Sequence, residues 1–374
     1  MKKLLALLLA ALMVFGLAAC GGVTAGNESN NPAETTEHAG ADMSQTEDQP
    51  PDSITIEHAM GTTEVSYAPE RVCVLDSNAM DFMLALELTE YVTCVQSPKG
   101  VPGYLEEFYN SETIIRLERM ESDDRNAAEE VTDPYESYYT IDADLIIGSA
   151  DAVDAELYEV LSQIAPTIVT GYAIDHTDGM YAGVKANARM IASIWGQEAK
   201  LDELMEEYDS LYQQLGEAVN GVTCVMMNST LDSNRIQVVS NDEWKKDKEK
   251  LEAERSCRIL FELGMVMYSN DAPEEVIAAS TYERNTEPEA QSAKNQVIAD
   301  WIAQVDPEYI LIVDRNFTSV EEAEAEGCAY AELAGLKQYQ AGKMFMLSYD
   351  GRIGASGLQG MMIQLNELAE ILLS

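Results

Sequence analysis

Ile141-Asp142-Ala143-Asp144-Leu145-Ile146-Ile147-Gly148 and Val305-Asp306-Pro307-Glu308-Tyr309-Ile310-Leu311-Ile312-Val313 share one build, an acidic turn running into a wholly apolar strand. A strand apolar on both faces belongs to a parallel sheet with helices on either side; a half-solvated antiparallel strand alternates instead. The neighbours of each copy fit that reading. Before the first lie a buried strand at Val72–Leu75, a helix from about Ala79 to Leu88 and a strand at Tyr91–Val95. After it come a helix carrying Leu157, Val160, Leu161 and Ile164, and the closing segment Ala165–Val169. Around the second copy lie strands at Thr223–Met227, Ile236–Val239 and Met344–Leu347, helices at Ser256–Leu263 and Gln296–Gln304, and a last helix after Gly357. Strand–helix–strand alternation of this kind implies parallel sheets flanked by helices.

Between the two copies, residues 179–219 contain no proline, and Leu201, Leu204, Met205, Tyr208, Leu211 and Leu215 recur at helical spacing. The pattern predicts one helix to about Trp195 and a longer one from Gln197 to Glu217. The expected fold class is α/β: two Rossmann-like lobes with parallel-rich sheets, joined by a long backbone helix and separated by a cleft. A hairpin of Ile54–Glu57 and Thr63–Ser66 around Gly61 opens the folded part.

Bulk composition narrows the function. The 374 residues carry 66 acids against 23 bases, a formal net charge of −43. Nucleic acid and an anionic bilayer surface both require a basic face, so neither is an expected partner. There are three histidines, His38, His58 and His176, too few for a His-rich transition-metal cage. No Gly-x-Ser-x-Gly or His-Glu-x-x-His motif is present, and no catalytic residue is assigned. Beyond Cys20 the cysteines are Cys73, Cys94, Cys224, Cys257 and Cys328, an odd count without a Cys-x-x-Cys. Three of them sit in apolar strand-like runs, which favours buried free thiols over disulfides.

The N-terminus reads as a targeting segment. Met1-Lys2-Lys3 precedes an apolar run from Leu4 to Leu17, too short for a comfortable membrane span, which ends in Leu17-Ala18-Ala19-Cys20-Gly21. Small residues before a cysteine at that place resemble the lipobox of bacterial lipoproteins, whose cysteine becomes a diacylated N-terminus; two acyl chains anchor stably. An ordinary secretory signal with a chance cysteine is the alternative. From Gly21 to Asp52 the chain is Gly, Asn, Thr, Ser, Pro and acids without Lys or Arg, a composition that cannot offset its ordering entropy. The expected boundaries are a signal peptide at 1–19, lipidated Cys20 and an acidic tether at 20–52, a first lobe at 53–176, a helical segment at 177–219 and a second lobe at 220–374.

This order of parts resembles the helical-backbone class of substrate-binding proteins of ABC importers, the class III periplasmic-binding-protein fold, which serves ferric siderophores, haem and cobalamin. Thr55–Val65 through Pro69–Asp76 is similar to the family's opening hairpin and first strand. Asp144–Ile147 and Ile164–Ile168 are similar to its first-lobe signatures. Val305–Arg315, Ala355-Ser356-Gly357 and Pro98–Leu105 are similar to its catecholate-siderophore branch. The resemblance implies no enzymatic activity, no covalent cofactor beyond the lipid, and an Fe(III) chelate as ligand. It also implies an ABC importer permease as partner and a place on the outer face of the bacterial cell membrane. Haem or a cobamide is the alternative ligand; an extracytoplasmic enzyme or a protein-binding scaffold is the alternative class.

In that branch cleft arginines neutralise an anionic ferric complex. The resemblance places Arg315 on one such position and Arg255 on another. The first-lobe arginine is absent, with Ser149-Ala150-Asp151 in its place, and the second lobe carries an insertion at Asn241–Glu254. Arg352 and Lys99 join the candidates because they fall near predicted strand ends, where α/β sheets bind ligands. A guanidinium matches carboxylate or catecholate oxygens with two parallel donors. Each cation has a second reading, pairing with a surface acid. Tyr104 and Trp244 are candidates for stacking on the ligand or for packing. No protein metal ligand is assigned. Rim acids of each lobe meet permease arginines in the class, and Glu106 or Glu107 is the expected first-lobe contact.

Overall fold

An antiparallel hairpin opens the chain: β1 (Ser53–His58) pairs with β2 (Gly61–Ser66) in the register Ile54↔Val65. The structure, a computed structural model, describes residues 51–96, 101–117, 135–173, 176–230, 235–239, 258–281, 286–314, 316–317, 319–325, 331–348, 350 and 356–373. Then come β3 (Val72–Val74), α1 (Ser77–Ala85), β4 (Val92–Gln96), β5 (Ile115–Leu117), β6 (Leu145–Ser149), α2 (Ala155–Leu161) and β7 (Thr167–Thr170). The strands form a sheet in the order β5-β4-β3-β6-β7, parallel throughout. Every residue of β3, β6 and β7 is buried, as strands covered on both faces require.

Two antiparallel helices follow, α3 (Met180–Ile194) and α4 (Glu198–Val219). Gly196 turns the chain between them at φ +62°, where a side chain would strike the Tyr67 hydroxyl. The second sheet is built from β8 (Thr223–Thr230), β9 (Arg235–Val238), β10 (Val266–Met267), β11 (Tyr309–Asp314) and β12 (Met344–Leu347), flanked by α5 (Glu274–Ser280) and α6 (Pro288–Val305). Its parallel order is β10-β8-β11-β12, with β9 antiparallel on β8. The final helix, α7 (Leu358–Leu372), leaves the second sheet and packs on α1, α3 and α4.

Among the described residues, strand alternation divides the apolar side chains between three cores. Val72, Val74, Leu145 and Ile147 of the first sheet and Cys224, Met226, Leu311 and Val313 of the second belong to one cluster, filled by α1, α3, α4 and α7. The opposite face of the first sheet packs under α2, and that of the second under α5 and α6. One close-packed core thus runs through both sheets, and a rotation of one sheet against the other has to move within it.

The two acidic turns have structural partners. Asp144 accepts from Arg71 Nη2 at 2.7 Å and from the Arg71 amide at 3.1 Å, ahead of β6. Asp306 caps α6 in the left-handed region at φ +46° and accepts from Lys337 Nζ at 2.9 Å and Gln338 Nε2 at 3.0 Å, ahead of β11. Hydrogen bonds from Arg71 and from Lys337 hold the two carboxyls below the ordinary range.

Several boundaries differ from expectation. α1 ends at Ala85, where the chain reverses through Glu87 at φ +58°. α6 begins at Pro288, earlier than Gln296, because proline suits the first helical turn. β5 and β10 are three and two residues long, too short to show periodicity. The helix expected from Ser256 is described from residue 258. Cys73, Cys94 and Cys224 are free and buried; Cys257 and Cys328 lie outside the described residues.

Candidate functional site

The carboxyl ends of β3 and β6 are stitched together by Asp76. Its Oδ1 accepts from the amides of Asn78 and Ala79 at 2.9 and 3.0 Å, capping α1, and its Oδ2 accepts from the Ser149 amide at 2.6 Å. Burial pushes the carboxyl up, against the pull of these amides. Beside it opens a small polar pocket lined by Asn78, Ser149, Asp151, Thr170 and Tyr172, with Ser356 supplied from the segment leading into α7. Asn78 Nδ2 donates to Asp151 Oδ2 at 3.2 Å, and the Tyr172 hydroxyl to the Ala150 carbonyl at 2.7 Å. The described lining holds no Lys or Arg.

The carboxyl edge of the second sheet repeats the motif. Leu75-Asp76-Ser77-Asn78 after β3 and Val313-Asp314-Arg315-Asn316 at the end of β11 share an apolar residue followed by Asp-x-Asn. Asp314 Oδ1 accepts from the Asn316 amide at 2.8 Å. Its Oδ2 is buried and meets no donor among the described residues, as does Ser229 Oγ on the adjacent strand, in register with it.

Two reciprocal clamps hold the sheets together. α3 and α7 both begin after a glycine, Gly179 and Gly357, with no side-chain cap of their own. Glu262, just ahead of β10 in the second sheet, accepts from the Met180 and Tyr181 amides at 2.6 and 3.3 Å while Arg258 Nε donates to it at 2.8 Å. Asp81, in α1 of the first sheet, accepts from the Gln359 and Gly360 amides at 2.7 and 2.9 Å and from the Tyr104 hydroxyl at 2.6 Å. A side chain at Gly357 would overlap the Asp81 carboxyl. Burial raises Asp81 to about 7 even with these donors. A third contact, Gly103 N–H to Asp350 Oδ1 at 2.8 Å, joins the segments that lead to α7 and from β4.

Of the residues singled out by sequence, Tyr104 is engaged with Asp81, and Glu106 and Glu107 are exposed in a helical turn, Glu106–Tyr109. Cys20, Lys99, Trp244, Arg255, Arg315 and Arg352 lie outside the described residues. Sequence reading missed Asp76, Asp81, Glu262 and Asp350. The repeat of Asp-x-Asn after two apolar strands was the available signal for Asp76; nothing local marks the other three. Among the described residues no group of three or more His, Cys, Asp or Glu is placed to hold a metal ion, and no helix is long and apolar enough to cross a membrane.

Two parallel-rich sheets that share a core through a helical connection, with a polar pocket at the carboxyl edge of the first, define a two-lobed α/β solute-binding architecture. The chain belongs to the periplasmic binding protein family, whose profile matches residues 134–328. It is a family of non-catalytic extracytoplasmic binding proteins. Among curated relatives, the ferric-anguibactin-binding protein FatB of Vibrio anguillarum is 23% identical over 79% of this chain and 80% of its own length. YfiY of Bacillus subtilis, described as a probable siderophore-binding lipoprotein, is 26% identical over 60% of each. The petrobactin-binding protein YclQ of Bacillus subtilis superposes with a TM-score of 0.56 at 18% identity, over 87% of this chain and 100% of its own. The catecholate-siderophore-binding protein VctP of Vibrio cholerae gives 0.57 at 18% identity, over 85% and 99%.

Proposed function

We propose that this protein captures a ferric siderophore between its two sheets and hands it to the permease of an ABC importer, held to the outer face of the cell membrane by a lipid on Cys20. The polar pocket where Asn78 of α1 meets the ends of β6 and β7 and Ser356 carries the reading, because open α/β sheets bind ligands at their carboxyl edges. The relatives bearing siderophore names support the ligand class. Arg315, Arg255, Arg352 and Lys99 are the proposed cations for the chelate, and Trp244 a proposed stacking partner. The shared core and the two carboxylate clamps favour a small rotation of the lobes about α4 on binding, with domain limits at 53–176, 177–219 and 220–374.

Titration of the purified protein with ferric catecholate and hydroxamate siderophores, haem and cobalamin, followed by tryptophan fluorescence, tests this function. Saturable binding of a ferric siderophore is expected; binding confined to haem or cobalamin, or none at all, would overturn it. Cys20→Ala tests the anchor separately: lipid labelling is expected to vanish, and unchanged labelling would place the modification elsewhere.

A further inference from the structure

Cys73 in β3 and Cys94 in β4 stand opposite each other in the parallel ladder of the first sheet. Partnered residues point to one face, and both belong to the outer cluster with Ile146, Leu157 and Leu161. Cα atoms on paired strands lie about 4.8 Å apart, inside the roughly 4.4–6.8 Å that a disulfide spans. The facing side chains act on each other's acidity: Cys73 holds Cys94 below its ordinary range, while Cys94 and burial push Cys73 upward. Cys224 has no such neighbour among the described residues, and burial raises it to about 12. Two thiols facing each other from neighbouring strands, on one face of the sheet, are placed to be joined by thiol–disulfide exchange.

We propose that Cys73 and Cys94 form a redox pair that closes to a cross-strand disulfide during folding outside the cytoplasm. Cys94, as thiolate, attacks one sulfur of a small-molecule disulfide and releases one thiol. Cys73, as thiolate, then attacks Cys94 Sγ of the mixed disulfide and releases the second. The cysteines lose two electrons and two protons; the small disulfide gains both and leaves as two thiols. With 0% and 3% exposure in the folded state, the sulfurs are reachable while α2 and its neighbours are not yet packed over them. The disulfide would tie together the two strands beside Asp76, independently of which ligand the cleft takes.

The test is refolding of the full chain from denaturant in mixtures of oxidised and reduced glutathione, followed by alkylation and peptide mass mapping. A cross-linked peptide joining Cys73 to Cys94 is expected, with a melting temperature about 5 °C above the reduced form, the gain lost in Cys73→Ala and Cys94→Ala. Both cysteines recovered as alkylated thiols at every glutathione ratio would overturn the proposal, as would a bridge from either one to Cys224, Cys257 or Cys328. The map of the parent chain decides the matter even where a variant does not fold.

Discussion

Asp76 and Asp314 occupy the same place at the carboxyl ends of central strands, yet their surroundings differ. Asp76 accepts three backbone amides and joins β3, α1 and β6 into one rigid corner. Among the described residues Asp314 accepts one, from Asn316, and its other, buried oxygen meets no donor. The residue after each differs as well, Ser77 in the first lobe and Arg315 in the second. One corner is closed by the fold itself, and the other has bonding capacity left over. A repeated sequence motif thus supplies a structural joint on one side of the molecule and a candidate recognition element on the other.

The strongest way to break this contrast is through ligand affinity. Arg315→Ala is expected to weaken ferric-siderophore binding by about 30-fold or more, since removing one side of a desolvated charge pair typically costs about 2–5 kcal/mol. Ser77→Ala should leave affinity unchanged. Equal losses from the two, or none from Arg315→Ala, would end the assignment of the second corner to recognition.

Stability is expected to show the reverse order. Asp76→Ala leaves three buried amides without an acceptor and should cost about 3 kcal/mol, read as a lower urea midpoint at constant slope. Asp314→Asn keeps an oxygen acceptor for the Asn316 amide and should stay within about 0.5 kcal/mol of the parent. A similar penalty for both would show that the corners do the same work.

Asp81 sharpens the comparison through pH. Its carboxyl titrates near 7 in the fold against an ordinary value of 3.8, so the native state binds more protons between those limits. This group's contribution to stability is fully present below about pH 4 and is lost as the pH rises through 7. Asp81→Asn should flatten that part of the stability profile, and an unchanged slope would move the effect to another buried acid such as Asp76 or Glu367, both also raised by burial.

The smallest expected effect lies at the rim. Glu106→Lys and Glu107→Lys should reduce uptake in cells while leaving the solution affinity for the siderophore within about twofold, because exposed charges act mainly on docking. Lost ligand affinity in the purified variants would place these residues at the ligand instead of the permease.

Much of this organisation was legible in the chain before folding. The apolar runs at Leu145–Ile147 and Tyr309–Val313 fixed two parallel sheets, because a strand without polar alternation has both faces to bury. The proline-free run after Gly179 fixed the helical connection, and the family resemblance pointed to a cleft and its ligand class. The clamps were not legible. Asp81 and the Gln359 amide are 278 residues apart, and a carboxylate that caps a remote helix leaves no mark in its own neighbourhood. Gly357 belonged to a recognised motif, but its need for a bare Cα appears only with the Asp81 carboxyl beside it.

Sequence by itself therefore determined the longer strands and helices, though not β5, β10 or α5, since periodicity and turn chemistry are local properties of the chain. Tertiary structure decided the strand order, the opposition of Cys73 to Cys94, the core shared by both sheets and the two acids that lock them. Those features depend on which surfaces meet, and burial and hydrogen-bond satisfaction are settled between segments remote in the chain.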